Sequence, residues 1–174
     1  MKGWFPRVEG EIVIERPVEA VFDFVADERN EPQYNARMTG ARMVSPEPIG
    51  VGSRFQAVMT GPGWPTELMI ELTSFDRPHG LSSRTQLSNM EIEGRLIFEP
   101  IAEGTRMRWV WNLQPRGFLR VLGPVVRRVG DRQEREIWTA LKRVLEAGPV
   151  PVAAGGAPAS SSASKEDDRN GHVG

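Results

Sequence analysis

Glu91-Ile-Glu-Gly-Arg-Leu-Ile-Phe-Glu99 and Thr105-Arg-Met-Arg-Trp-Val-Trp-Asn-Leu-Gln114, joined across Pro100–Gly104, decide the fold of this 174-residue chain. Ile92, Gly94, Leu96 and Phe98 alternate with Glu91, Glu93, Arg95 and Glu99, and Met107, Trp109, Trp111 and Leu113 alternate with Arg106, Arg108 and Asn112. A period of two is a strand pattern, and the short connection predicts an antiparallel hairpin. One face is wet and laced with opposite charges that read as cross-strand pairs; the other carries bulky apolar groups. A sheet with one apolar face has to bury it against another layer.

The segment that follows supplies that layer. Pro115–Pro124 reads as a helical lead-in, and Pro124 suits a first helical turn. Val126, Val129, Gln133, Ile137, Ala140/Leu141 and Val144 then recur at steps of three and four, while Arg127, Arg128, Arg132, Arg135 and Arg143 avoid that stripe. Val125–Ala147 would run roughly 35 Å, long enough to cross a whole sheet.

Working towards the N-terminus, Val8–Glu15, Met38–Ser45, Ser53–Thr60, Thr66–Phe75 and Leu81–Leu87 read as further strands. Pro48-Ile-Gly-Val-Gly52 and Gly61-Pro-Gly-Trp-Pro65 are turn clusters, and Gly50 and Gly52 are both expected to be able to take positive φ. Pro17 ends the first strand, and Val18, Val21, Phe22 and Val25 mark a short helix. Asp27–Asn35 reads as a second short helix or turn around Pro32 that presents Tyr34. The expected architecture is α+β: a curved antiparallel sheet of about seven strands wrapped around a long C-terminal helix, with two short helices after the first strand. A hollow is expected wherever sheet and helix diverge.

Composition narrows the rest. Hydrophobic residues make up 39% and charged residues 26%, which suits one soluble domain over residues 1–147. Residues 148–174 contain 17 Gly, Ala, Ser or Pro among 27 and are expected to be a disordered tail. No apolar run approaches the ~20 residues of a membrane helix, and Met1–Pro6 lacks a signal-peptide core. The absence of cysteine excludes thiol chemistry and disulfides and is compatible with a reducing cytoplasm, the expected location. Only His79 and His172 exist, so a two-histidine metal site has no second ligand in the domain; neither a metal nor a cofactor is expected. With a net charge of −1, nucleic acid is not expected as a partner. The basic C-terminal helix could touch an anionic membrane surface, but it lacks interleaved aromatics and reads as a solvated face.

Several segments resemble one superfamily. Ile12-Val-Ile-Glu-Arg-Pro-Val-Glu-Ala-Val-Phe-Asp-Phe-Val-Ala-Asp27 resembles the strand, proline and Asp-terminated helix that open START-like (SRPBCC) proteins. Glu71-Leu-Thr-Ser-Phe-Asp-Arg-Pro78 resembles a mid-sheet strand and turn of that superfamily. Gly104-Thr-Arg-Met-Arg-Trp109 and Leu141-Lys-Arg-Val-Leu-Glu146 are similar to its polyketide cyclase/dehydrase-like branch. The resemblance covers about residues 8–147. It implies a helix-grip fold with a deep apolar cavity, in a group that includes hydrophobic-ligand carriers and aromatic-ring cyclases.

Motifs with a chemical mechanism are few. There is no P-loop, no G-x-G-x-x-G and no G-x-S-x-G. His79 sits in a polar turn and reads as exposed. Asp23 and Asp27, four apart, read as a polar helix face rather than a paired-acid site. The aromatic residues suggest more, because flat side chains with one polar handle suit a pocket for an apolar or aromatic ligand. Inward parity nominates Phe55, Met59, Ile70, Thr85, Leu87, Trp109 and Trp111 on the sheet, with Ser83 beside them. The helix stripe adds Val126, Val129, Gln133 and Ile137, and Tyr34 is placed at the mouth as the one weak candidate for catalysis. Parity places no His, Asp, Glu or Lys inward. That favours a binder of a small hydrophobic or aromatic molecule, lipid-like or polyketide-like, over the alternative of a cyclase or dehydratase acting on an aromatic polyketide-like substrate in the same cavity.

Overall fold

The structure, a computed structural model, describes residues 7–61, 66–88, 90–116 and 123–148, with side chains in the last segment from residue 128 onward. The turn residues 62–65, most of the expected lead-in to the long helix, the side chain of Val126 and the tail beyond Gly148 lie outside the described residues.

Strand β1 (Arg7–Ile14) leads through Pro17 into helix α1 (Val18–Ala26). Val18, Val21, Phe22 and Val25 are buried on α1 as the spacing predicts, and the Phe22 ring meets Phe75 and Phe98 edge-on, with centroids 5.2 Å away in both cases. At Asp27 the backbone turns extended, and a six-residue 3-10 helix, Glu28–Gln33, follows around Pro32. Then come β2 (Met38–Met43), β3 (Arg54–Met59), β4 (Thr66–Asp76), β5 (Gly80–Gln86), β6 (Met90–Ile101) and β7 (Gly104–Pro115). The chain closes with helix α2 (Gly123–Ala147). Of the two glycines in the β2–β3 connection, Gly52 takes positive φ, at 85°, and Gly50 does not.

All seven strands form one antiparallel sheet in the order β1-β7-β6-β5-β4-β3-β2. Irregularities between Leu72 and Ser74 and between Met38 and Gly40 shift the register, and such bulges bend and twist a sheet. The parity of the β6–β7 hairpin is as expected: Gly94, Leu96, Phe98, Met107, Trp109 and Leu113 are buried. The outer face carries the charge ladder, with Arg108 bonded to Glu99 and Glu11, Arg106 near Glu99, and Arg84 near Glu91 and Glu93. Exposed pairs of this kind contribute little individually, about 0–1 kcal/mol.

Two glycines let tryptophans lie flat over the sheet. Gly10 of β1 is paired with Trp109, and Gly94 of β6 with Trp111. A Cβ at Gly10 would collide with the Trp109 ring, and one at Gly94 with the Trp111 ring. Each glycine is therefore the space that a neighbouring strand's indole occupies.

Helix α2 grips the sheet on its β1–β7 side. A Cβ at Gly130 would sit 3.1 Å from Val8 Cγ2 and 3.8 Å from Leu113 Cδ1, so the helix comes close at this point. Farther along, Trp138, Leu141 and Leu145 are buried in the main core. The stripe that faces the sheet runs Gly130, Glu134, Trp138, Leu141 and Leu145, rotated from the one expected. Val129, expected inward, is 49% exposed. Its spacing from Gln133 and Ile137 would by itself turn it inward, but Trp138 and the two leucines set the helix's actual rotation.

Candidate functional site

Because α2 leans towards β1 and β7, its first turns diverge from the middle strands. The floor there is built from short or unbranched side chains, Ser83 and Thr85 on β5 and Met59 on β3, instead of large rings. The result is a cavity of about 320 Å³ between the sheet, the 3-10 helix and α2. That is at the small end of the ~300–1,000 Å³ range of ligand pockets.

Of the sheet residues expected at a site, Met59, Ile70, Thr85, Leu87 and Trp111 line this cavity. Gln133 and Ile137 line it from α2, and Tyr34 from the end of the 3-10 helix. Ser83 is there as parity suggested. Phe55 and Trp109 are not: both are inward but packed in the core, Phe55 at 0% exposure and Trp109 against Trp138 with centroids 5.8 Å apart. Inward parity identifies the apolar face; whether a given side chain meets a neighbour or a void depends on what stands above it.

Three carboxylates also line the cavity, contrary to the expectation that none faces inward: Glu28 and Glu31 from the 3-10 helix and Glu134 from α2. A 3-10 helix has three residues per turn, so Glu28, Glu31 and Tyr34 fall on one face. That spacing is legible in the sequence once the turn is recognised as 3-10. Glu134 can be found by noticing that it lies one turn before Trp138, in the row that continues through Leu141 and Leu145.

A partly buried network holds the 3-10 helix in place. Asp27 accepts from the Arg29 backbone N–H at 3.1 Å and caps it, and pairs with the guanidinium through Nε at 2.8 Å and Nη2 at 2.9 Å. Arg29 reaches on to Glu47 at 2.9 Å. Asn30 Nδ2 donates to the Phe24 carbonyl at 3.0 Å, and Asn35 Nδ2 to Glu31 Oε1 at 2.7 Å. Asp27 and Asp23 therefore do not act together: Asp23 points outward and pairs with Arg77 at 2.6 Å. His79 is exposed, as expected.

Above the network an aromatic stack continues into α2. Tyr34 lies 6.1 Å from Phe24 and 6.1 Å from Trp138, its ring stacked on the indole at an interplanar angle of 30°. Burial pushes the Tyr34 hydroxyl well above the usual phenol range, and the negative charges of Glu31, Glu28 and Glu134 push it the same way. Tyr34 is therefore a neutral hydrogen-bonding group and a poor general acid near neutral pH.

Glu134 is the most distinctive group. Trp111 Nε1 donates to its Oε2 at 2.7 Å. Burial raises its pKa to about 7 against the indole bond, with Glu31 repelling the ionised form from across the cavity. The Trp138 indole N–H also lowers the value, although Trp138 Nε1 has no partner within hydrogen-bonding geometry. Glu28 is raised well above the ordinary carboxylate range as well, first by burial, then by the negative charge of Glu31. The three acids are spread over two elements: among the described residues no group of three His, Cys, Asp or Glu is close enough together to hold a metal ion. Arg37 is the one basic residue among the described lining residues, exposed at the rim.

Comparison with known proteins gives the family and the fold. The family model described as polyketide cyclase / dehydrase and lipid transport matches residues 6–146. The chain belongs to that family. Solved structures share its fold: a START superfamily protein from Mycobacterium smegmatis, at 16% identity and a TM-score of 0.71, covers 81% of this chain and 97% of its own length. A Thermus thermophilus protein, at 22% identity and a TM-score of 0.70, covers 83% of this chain and 100% of its own. The di-domain ARO/CYC BexL from the BE-7585A biosynthetic pathway, at 21% identity and a TM-score of 0.67, covers 80% of this chain and 46% of its own. No curated protein matches the sequence. The architecture is thus the helix-grip fold of the START superfamily, as the sequence resemblance implied. Family and fold together fit a hydrophobic-ligand-binding or polyketide cyclase/dehydrase-like protein. Among the described residues no helix is long and apolar enough to cross a membrane.

Proposed function

We propose that this chain binds a small hydrophobic or amphipathic molecule in the cavity between sheet and α2. The carrying observation is the cavity itself: about 320 Å³ left open in a domain whose remaining interior is packed with rings and leucines. Met59, Ile70, Leu87 and Ile137 take the apolar body of the ligand. Tyr34, Thr85 and Gln133 surround it with hydrogen-bonding groups that fix its orientation. The absence of cysteine is compatible with a cytoplasmic site of action.

The test is a filled cavity. A neutral naphthalene dye should bind the full-length protein at about one per chain and quench tryptophan emission through Trp111 and Trp138. Gln133→Trp should abolish that binding with little loss of stability, because a void accepts bulk that a packed core resists by about 1–3 kcal/mol. A destabilised Gln133→Trp variant, together with no dye bound to the wild type, would replace the cavity with ordinary core.

A second reading rests on a specific observation. Glu134 stands in the cavity wall with a pKa of about 7, the value expected of a group that both takes and gives a proton near neutral pH. It suits an enzyme of cyclase or dehydratase type acting on an aromatic polyketide-like substrate, with Glu134 in place of Tyr34 as proton-transfer group. If turnover of such a substrate is found, Glu134→Gln should lower kcat by roughly 10²–10⁴ at similar KM, and Tyr34→Phe should change it far less. Undiminished turnover in Glu134→Gln would leave positioning by the cavity walls as the account of catalysis.

A further inference from the structure

An empty apolar pocket has no need of three acids. Glu28, Glu31 and Glu134 project into one cavity from two separate elements, and none makes an ion pair with a described basic side chain. Taking carboxylates out of water without a counter-charge is unfavourable, so a positive group is what the arrangement lacks. Glu134 is nevertheless supplied with a donor that favours its ionised form, the Trp111 N–H at 2.7 Å.

One further polar group lines the same space. Tyr34, 6% exposed, has a hydroxyl influenced by all three carboxylates and no hydrogen bond to a described group. A phenolic oxygen can accept from a cationic donor. Among the described residues no group of three acids could hold a metal ion, so a compact metal is not the missing charge.

We propose that the cavity selects an apolar molecule carrying a protonated amine, with the ammonium seated among Glu28, Glu31 and Glu134 beside Tyr34, Trp111 and Trp138. This rests on the reading of the cavity as a ligand site and adds the charge of the ligand to it. Binding is then coupled to proton release. Burial holds the Glu28 and Glu134 carboxyls above their ordinary range, so both give up protons more readily when a cation arrives, and amine affinity rises with pH as they ionise. The charged groups around the site all bear on this. Asp27, Glu28 and Glu31 lie on the 3-10 side, Glu134 and the nearby Asp131 on α2, and Arg37 at the rim, while β3, β4 and β5 offer Met59, Ile70, Ser83 and Thr85, none of which titrates. Arg37 is the one described lining group that would favour an anionic ligand instead.

A matched series of probes decides the matter: phenylbutylamine, phenylbutanol and phenylbutanoate, titrated calorimetrically into the full-length protein at about pH 5.5 and about pH 8. The amine should bind at least roughly tenfold tighter than the alcohol at the higher pH, with the carboxylate weakest. Its affinity should rise several-fold from the lower pH to the higher, while that of the alcohol stays flat. Glu134→Gln and, separately, Glu31→Gln should each reduce the preference for amine over alcohol, read as the ratio of the two affinities in the same variant. If the alcohol binds and the amine is no better, or the carboxylate is tightest, the amine proposal fails while the apolar site stands. If both variants keep the full preference, the assigned acids are wrong and the proposal fails with them. If none of the three probes binds, the ligand-site reading and the amine proposal fall together.

Discussion

Along α2, Leu141 and Leu145 are buried in the core, Trp138 is buried where core and cavity meet, and Gly130, Gln133, Glu134 and Ile137 before it face the cavity. The dry end is also tied down by polar bonds. Lys142 Nζ donates to the Val13 carbonyl at 2.7 Å, the Glu15 N–H donates to Glu146 at 2.7 Å, and Arg16 donates to the Glu146 and Gly148 carbonyls at 3.0 and 3.1 Å. The hollow end leans on Val8 and Leu113 through a glycine and stands off from the middle strands. One helix therefore has two tasks: its C-terminal half fastens the domain, and that fastening lets its N-terminal half roof a void. Cavities in proteins generally cost stability, so the packed half has to supply what the open half forgoes.

The sharpest way to break the comparison is to place the same charge in both halves. Leu141→Asp puts a carboxylate at a fully buried site and is expected to cost at least about 4 kcal/mol, enough to prevent folding. Ile137→Asp, one turn earlier and half-buried against the cavity, should cost no more than about 2 kcal/mol, since water in the cavity can solvate it. Chemical denaturation of the two variants checks this, and equal losses would mean that both halves are packed alike.

The second effect is electrostatic and smaller. Glu134 keeps its proton up to about pH 7 in the folded chain but releases it near 4.5 when unfolded. Between those values the native state binds more protons than the unfolded one, so stability falls as pH rises through that window. Glu28 acts in the same direction. The expected loss from about pH 5 to about pH 8 is of order 1–3 kcal/mol, reduced because Glu134 retains some access to water. Glu134→Gln should flatten the profile and leave the variant more stable than wild type at the alkaline end. An unchanged slope would remove the desolvated acid from the hollow half.

The smallest effect belongs to the dry end and has the opposite sign. For Glu146 burial alone would raise the pKa, but the Glu15 N–H, Lys142 and Arg16 together bring it below the ordinary value. Its contribution is present above about pH 4.5 and is lost as pH falls below that. Glu146→Gln should cost about 0.5–1.5 kcal/mol near neutral pH and make acid unfolding less steep, as thermal melts between about pH 3 and pH 7 would register.

Much of this molecule is legible in its amino-acid sequence. Seven period-two segments, their order and the long terminal helix are readable because alternation and a three-to-four spacing are local properties of the chain. So is the inward face of each strand: Ile70, Thr85, Trp111 and Met59 reach the cavity because parity alone assigns a side chain to one side of a sheet. The exact rotation of α2 is not readable. Val129 and Glu134 both sit near the edge of an apolar arc, and which turns inward is decided by Trp138, Leu141 and Leu145 seating in the core and by Gly130 against Val8. Nor can sequence separate Trp109 from Trp111. The two share a strand face, yet one is packed against Trp138 and the other bonds Glu134 at the cavity wall. The sequence by itself determined which side chains face inward, because that follows from backbone periodicity. Only the tertiary structure decided where inward means packed and where it means open, and that three acids share the opening, because a void and its charges belong to the distance between elements far apart in the chain.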